Sequence, residues 1–325
     1  MHAIAILCSG GDVSGMNPAI KRFVEYAFAK TLTPFLVYDG YEGLIDDRIQ
    51  EAHYRDVSNI ITQGGTFIGS SRSERFMLPK HRKQAALNLK KRHIAMLVIL
   101  GGDGSFRGMH IFYREHGIAC CGIPSTIDND IAGTFYCLGV DTALGMIRTA
   151  IDAIRDTAAS LNRAFVIETM GRECGYLALV SALTSGAELC LIPEIPYDFK
   201  ALTGSIKQQL HKGRHYMIIV VSEGIAQEHE TIISWLQNDV GIETRLNVLG
   251  HLQRGGTPSV YDRLMAYRFI TYGIDGLLQG EKSSVVCYGA ERFHYRQVDE
   301  VATTPYEIEA ELLALGQHVC TLGAS

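Results

Sequence analysis

Short apolar runs alternate along almost the whole chain with segments whose apolar residues recur at helical spacing. Residues 3–7, 34–38, 96–100, 120–123, 164–168, 189–192, 217–221, 247–249 and 284–288 read as strands. From about Pro18 the spacing of Ile20, Phe23, Val24 and Ala27 predicts a helix. Ile147, Ile151 and Ile154 mark one face of another over residues 143–160, and helices are also expected over 81–92, 261–278 and 305–315. Strand and helix alternate to the end of the chain, which predicts an α/β fold.

The turns that end these runs carry the chemistry. Residues 96–100 stop at Gly101, Gly102, Asp103, Gly104 and Ser105, a strand turning sharply into a helix so that backbone N–H groups face an anion. Residues 120–123 stop at Pro124, Ser125 and Thr126, followed by Asp128, Asn129 and Asp130. Carboxylates after a strand's C-terminal end lie where open α/β sheets build their sites. Gly-Gly-Asp-Gly also makes ordinary tight turns, and Asp-Asn-Asp makes Asx-turns, so either loop alone says little. Two of them after successive strands point to a site.

Other strand ends add to it. The first run is followed by Ser9-Gly10-Gly11-Asp12 and then Gly15-Met16-Asn17, a strand, Gly-rich turn and helix suited to a phosphate. The turn is neither a Walker loop nor the spaced glycines of a dinucleotide fold. Residues 63–72 are rich in Gly and Ser and end at Arg72, which predicts a flexible loop with a mobile clamp for a transferring phosphoryl group. Met170-Gly171-Arg172 places an arginine beside a helix start. Glu223 ends a further strand, and Gly250-His251-Leu252-Gln253-Arg254-Gly255-Gly256 ends another.

Gly-rich turns, a metal-type Asp103, close carboxylates and arginines at 72, 163, 172, 245 and 254 are the parts of phosphoryl transfer. The donor phosphates need a cradle, the transferring group needs charge neutralisation, and the acceptor hydroxyl needs a base. The surplus of arginines predicts that the acceptor itself carries a phosphate or carboxylate.

Composition narrows the partners. The 325 residues are 47% hydrophobic and 20% charged, which suits an ordered globular chain with a sizeable core. Net charge is −5 and the pI near 6.2, which argues against a nucleic-acid or anionic-membrane surface. The N-terminus reads as a first strand and not a signal peptide, and no apolar run is long enough to span a membrane, so a cytoplasmic protein is expected. The eight cysteines are scattered outside zinc spacing, and neither disulfides nor a structural metal is expected.

Together Ser9-Gly10-Gly11-Asp12, Gly15-Met16-Asn17, Gly64-Gly65-Thr66 with Arg72, Gly101 to Ser105, Thr126 to Asp130, Met170-Gly171-Arg172 and Gly250 to Gly256 resemble the bacterial 6-phosphofructokinases, in the family's order. The resemblance implies two Rossmann-like three-layer α/β/α domains facing each other across the active site. Residues 1–138 and 252–304 would form a larger ATP-binding domain, and 139–251 and 305–325 a smaller fructose 6-phosphate domain. It also implies transfer of the γ-phosphoryl group of ATP, with Mg²⁺, to the 1-hydroxyl of fructose 6-phosphate. Asp128 would be the base, Arg172 would stabilise the transferring charge and Thr126 would position it. Asp103 and Asp130 would serve Mg²⁺. Gly11, Arg72, Gly104 and Ser105 would face the nucleotide, and Met170, Gly171, Glu223, His251 and Arg254 the sugar phosphate. Arg163 and Arg245 match arginines that reach the sugar phosphate from a neighbouring subunit, which implies a homotetramer with shared sites.

Departures from the family pattern bear on donor and regulation. Relatives that use pyrophosphate tend to carry Asp at the place of Gly104 and Lys at that of Ser125, so Gly104 favours ATP. Ser73-Glu74-Arg75-Phe76 lacks the aromatic and proline common after the matching arginine. At the positions that match the family's effector site, Arg155, Glu188, Lys212 and Arg214 are retained, whereas Lys21, Glu25, Tyr54 and Asn59 stand at the others, with Glu25 replacing an expected cation. A glutamate there opposes anion binding and predicts weak effector control.

Overall fold

The computed structural model describes residues 2–322, which form two compact units. One gathers the described residues through Ile127 with Ile131–Thr142 and Arg254–Tyr306; the other gathers Asp128–Asp130, Ala143–Gln253 and the described residues from Glu307 on. The first opens with β1 (Ala3–Cys8), α1 (Met16–Ala29), β2 (Thr33–Val37), α2 (Gly40–Ile45), β3 (Ile49–Glu51), α3 (Pro79–Lys91), β4 (Ile94–Gly101), α4 (Asp103–His116) and β5 (Ala119–Pro124). The chain then continues through α5 (Val140–Leu161), β6 (Ala164–Thr169), α6 (Tyr176–Ser185), β7 (Leu189–Leu191), α7 (Phe199–His211), β8 (Met217–Ser222), α8 (His229–Trp235) and β9 (Thr244–Val248). It returns to the first unit with α9 (Val260–Gln279), β10 (Ser284–Gly289), β11 (Arg292–Gln297) and α10 (Val298–Thr303), and ends in the second with α11 (Ala310–Thr321).

Among the described residues the first unit holds a seven-stranded sheet in the order β11-β10-β5-β4-β1-β2-β3. Its five inner strands are parallel, and β3 and β11 close the two edges antiparallel. Every residue of β1 is buried, as a parallel strand covered by helices requires. Strand order reverses between β1 and β4: the chain moves from β1 to β2 on one side and crosses to β4 on the other. Such a switch point opens a crevice at the carboxyl ends of the two strands.

The second unit holds a four-stranded parallel sheet in the order β7-β8-β6-β9. Val166, Leu191, Ile219, Val221, Ile206 and Trp235 lie in its core, where α7 and α8 cover one face. None of the described helices is long and apolar enough to cross a membrane.

Two elements shift from their expected places. The strand expected at 247–249 begins at Thr244, because β9 is an edge strand paired only with β6 and opens on two polar residues, buried Thr244 and exposed Arg245. The helix expected at 305–315 begins at Ala310. Thr304, preceding Pro305, is extended at ψ 125°, as a residue before proline prefers, and the chain regains helical geometry only after Glu309.

Candidate active site

In the first unit the turns after β1 and β4 meet at the switch point. Ser9 donates its N–H to the carbonyl of Leu100 at 2.8 Å, and Ser105 Oγ, on the first turn of α4, lies 2.9 Å from Ser9 Oγ and 3.2 Å from Ser9 O. Tyr41 reaches the same turn from α2, its hydroxyl donating to the Ser105 carbonyl at 2.7 Å. Burial, helped by the nearby Cys120 thiol, holds the Tyr41 hydroxyl well above its ordinary pKa, so it stays a donor. A Cβ at Gly101 would come within 2.8 Å of both Ser105 and Ser9 O, so the close approach needs glycine.

At Gly11 a Cβ would lie 2.5 Å from Nη1 of Arg254, the movable tip of a side chain that donates to Asp12 O at 3.3 Å. Arg254, expected among the sugar-phosphate residues, thus stands beside the Gly11 turn. Gly104 is different: it is exposed, and a Cβ there would meet nothing within 4 Å. Asp103 at the start of α4 is half-exposed and paired with Arg107 one turn on, at 2.8 Å. Thr126 follows β5 in the same unit, two residues after the Gly101–Pro124 register pair.

The Arg72 segment is not the free loop that its Gly and Ser content predicts. Ser71 forms a parallel bridge with Ser9, its carbonyl accepts the Gly10 N–H at 3.1 Å, and Ser70 Oγ donates to Gly10 O at 2.9 Å. Ser71 Oγ adds a bond to Asp39 O at 2.7 Å. Arg72 is therefore stapled to the Gly10–Gly11 turn, because the small polar residues serve as hydrogen-bonding groups instead of spacers. Beyond it Ser73 bonds to Glu42, Arg75 pairs with Glu42 and Asp46, and the Phe76 ring stacks on Tyr41 with centroids 3.9 Å apart.

In the second unit the carboxyl ends of β6, β8 and β9 collect the residues expected on the acceptor side. Asp128 is 1% exposed, and its Oδ2 lies 3.2 Å from Arg172 Nε; Asp130 Oδ2 lies 3.9 Å from Arg172 Nη1. Arg172 holds φ +53°, the left-handed region that a side chain makes unfavourable. Glu223 fixes that conformation: its Oε1 accepts the Gly171 N–H at 3.2 Å and the Arg172 N–H at 2.5 Å. Gly171 is forced as well, since a Cβ there would collide with the Cys174 carbonyl. Met170 donates its N–H to Gln253 Oε1 at 3.0 Å, and His251 nearby in sequence is exposed.

Gln253 lies inside a motif that the sequence singled out, but its role in holding Met170 is visible only in the fold. The same is true of the Glu168–His229 pair, at 2.9 Å. Burial raises the pKa of the Glu168 carboxyl, the His229 side chain opposes that rise, and the Glu223 charge adds to it.

Arg163 and Arg245 stand apart from these residues. Arg163 precedes β6 and Arg245 is the second residue of β9, so both mark the N-terminal edge of the sheet, whereas Met170, Arg172 and Glu223 follow its carboxyl edge. Six residues of β6 separate the two edges, roughly 20 Å of strand. The two arginines share one carboxylate: Glu243 binds Arg163 Nε at 2.7 Å and Arg245 Nη2 at 2.6 Å. Glu243 carried no sequence signal beyond its charge.

Of the matched effector residues, Lys21, Arg155, Glu188 and Arg214 are occupied by partners of their own. Lys21 pairs with Glu25 one turn along α1 at 2.6 Å, and Glu25 also accepts from Tyr267 at 3.2 Å. In the second unit Glu188 binds Arg214 at 2.5 Å and Arg155 at 3.7 Å, and Arg155 donates to Ser185 O at 2.6 Å. Lys212 is exposed. The eight cysteines are buried free thiols, and burial pushes Cys8 and Cys174 up to about 12.

Comparison with known proteins identifies the family. The sequence model of the family described as Phosphofructokinase matches residues 3–277. A protein of Sulfurimonas denitrificans named ATP-dependent 6-phosphofructokinase is 61% identical over 314 residues, 97% of this chain and 98% of its own length. One of the same name from Sulfurovum sp. is 58% identical over 98% of this chain and 97% of its own. Among solved structures, phosphofructokinase from Saccharomyces cerevisiae superposes with a TM-score of 0.88 at 31% identity, covering 93% of this chain and 45% of that one.

Proposed function

The chain belongs to the phosphofructokinase family, and we propose that it transfers the γ-phosphoryl group of ATP to the 1-hydroxyl of fructose 6-phosphate, giving fructose 1,6-bisphosphate and ADP. The observation that carries the reading is the buried Asp128 carboxylate beside the Arg172 guanidinium on a turn held in strained geometry. Backbone strain of this kind is kept where a side chain must be aimed.

In this reading Asp128 accepts the proton of the 1-hydroxyl as it attacks, and Arg172 neutralises charge on the transferring group. Thr126 positions that group. The Gly11 and Gly104–Ser105 turns and Arg72 hold the donor phosphates, so the first unit is the nucleotide domain. Met170, Gly171, Glu223 and His251 hold the sugar phosphate in the second unit, with Arg254 completing its binding. The half-exposed Asp103 carboxylate at the start of α4 suits a magnesium ion, which is commonly bound by one or two carboxylates together with phosphate oxygens and water. Asp103 would hold it, with Asp130 as a further oxygen, and Mg²⁺ would supply charge neutralisation of the donor phosphates.

ATP is favoured over pyrophosphate by the open space at Gly104, which leaves room beside the phosphate turn for a larger donor. The relatives named ATP-dependent support the same choice. Arg163 and Arg245 are assigned to the site of a neighbouring copy: within one chain they lie at the wrong edge of their sheet. The exposed apolar Leu246 and Val248 on edge strand β9 support an interface there, and a homotetramer with shared sites is the proposed assembly. Cytoplasmic location belongs to the same proposal.

Initial rates with fructose 6-phosphate and Mg²⁺, comparing ATP with pyrophosphate, test the reading. Turnover with ATP that Asp128→Asn lowers by about a hundredfold or more is expected. Turnover with pyrophosphate alone would mean that Ser125, not Gly104, governs the donor, and turnover with neither would overturn the activity.

A further inference from the structure

We propose that Asn17 is a positioning residue for the donor half of the reaction, locking the Gln63–Phe67 turn to the start of α1 and thereby fixing Arg72; this rests on the phosphotransfer reading above. Asn17 is 1% exposed in the first turn of α1. Its Nδ2 donates to the carbonyls of Gln63 and Gly64, both at 3.1 Å, and its Oδ1 accepts the Phe67 N–H at 2.8 Å. A buried amide is costly unless paired, and here it makes three bonds to one turn far away in sequence.

The turn has little freedom left. A Cβ at Gly64 would lie 2.5 Å from Gly256 O, the carbonyl to which Ser14 Oγ donates at 2.9 Å, so the backbone packs closely against the Gly255–Gly256 segment. Gly65 sits at φ +65°, and Thr66 Oγ1 lies 3.3 Å from Cys8 Sγ at the end of β1. Gly69 N–H then bonds to Thr66 O at 3.2 Å and Asp39 N–H to Ile68 O at 2.8 Å. These contacts carry the chain to Ser70 and Ser71, whose bonds to Gly10 set Arg72 beside the first phosphate turn. Asn17 belongs to the helix which that turn opens. One side chain therefore ties both donor-side elements to a common helix start.

A residue acting through Arg72 and one that only stabilises the fold differ in a double-mutant cycle. Asn17→Ala leaves the Phe67 N–H and two carbonyls without their partner. It is expected to lower kcat/KM for ATP about tenfold to a hundredfold, the scale of small misplacements, with the half-saturation for fructose 6-phosphate unchanged. In an Arg72→Ala background the same substitution is expected to cost less than about threefold, because the group being positioned is already gone. An equal loss in both backgrounds, or a lowered thermal midpoint with unchanged kcat/KM, overturns the role of Asn17 and leaves the phosphotransfer reading intact. Full ATP turnover by Arg72→Ala alone would instead remove Arg72 from the donor site, and this inference with it. If Asn17→Ala does not fold, Asn17→Asp is read through the same cycle and judged by the same outcomes: it keeps the shape and the Phe67 acceptor while turning a second oxygen towards the two carbonyls.

Discussion

Arg172 Nε lies 3.2 Å from Asp128 Oδ2, while the backbone N–H of the same arginine is held at 2.5 Å by Glu223. The guanidinium is more than half exposed and the carboxylate is buried, so the exposed partner is aimed by its backbone and not by packing around its side chain. Asp128→Asn keeps the shape and removes the proposed base. It should lower kcat by about 10² to 10⁴ fold, the usual reach of a positioned general base. Steady-state rates at saturating ATP and fructose 6-phosphate measure it, and a loss under about tenfold would place the base elsewhere.

The location of Arg163 and Arg245 at the far edge of their sheet makes a prediction about subunits. If each site takes Arg163 from a neighbour, Arg163→Ala and Asp128→Asn are both impaired alone but complement each other when refolded together. A mixed pair then contains one site with both groups intact, and random pairing restores about a quarter of wild-type sites. No recovery over the sum of the separate variants would show that each chain completes its own site.

Much of the parallel framework was legible, because buried parallel strands are continuous apolar runs and their Gly-rich exits stand out. Strand β11 was not. Its hairpin with β10 turns through Ala290 and Glu291 at φ +47° and +61°, a geometry usually announced by Asn-Gly or Asp-Gly. The Arg72 segment was misread for the reverse reason: glycine and serine suggested freedom, but the serines are bonded to Gly10 and Asp39. Candidate residues could be named from their motifs. Their supports, Glu243 for the paired arginines and Gln253 for Met170, depend on contacts between distant segments that no local pattern encodes.

Effector control should be weak. Glu25 neutralises Lys21 at 2.6 Å and would face any phosphate brought to α1. Millimolar phosphoenolpyruvate is expected to move the half-saturation for fructose 6-phosphate by less than about twofold, below the fivefold or more of ordinary allosteric coupling. A larger shift that Arg155→Ala abolishes would show that Arg155 and Arg214 form a working site despite Glu25.

Gly104→Asp probes donor choice without disturbing the fold. The position is exposed, a Cβ there has no neighbour within 4 Å, and a carboxylate in the first turn of α4 suits the helix dipole. The thermal midpoint should therefore hold, while kcat/KM for ATP falls by at least about tenfold as the new charge opposes the donor phosphates. Unchanged ATP kinetics would mean that the donor does not pass over this turn.

Glu168 links stability to pH. Its carboxyl is pushed above the ordinary value of 4.5 chiefly by burial, against the opposing pull of His229 and with help from Glu223. Between 4.5 and the raised value the folded chain holds a proton that the unfolded chain has released. The stability this proton confers is complete below that window and is lost as pH rises through it. Glu168→Gln cannot ionise, so the variant should gain stability relative to the parent as pH is raised across the window, even if the lost contact with His229 lowers both ends. Urea unfolding of the two proteins at several pH values measures the difference. A difference independent of pH would mean that Glu168 ionises as readily in the folded chain as in the unfolded one.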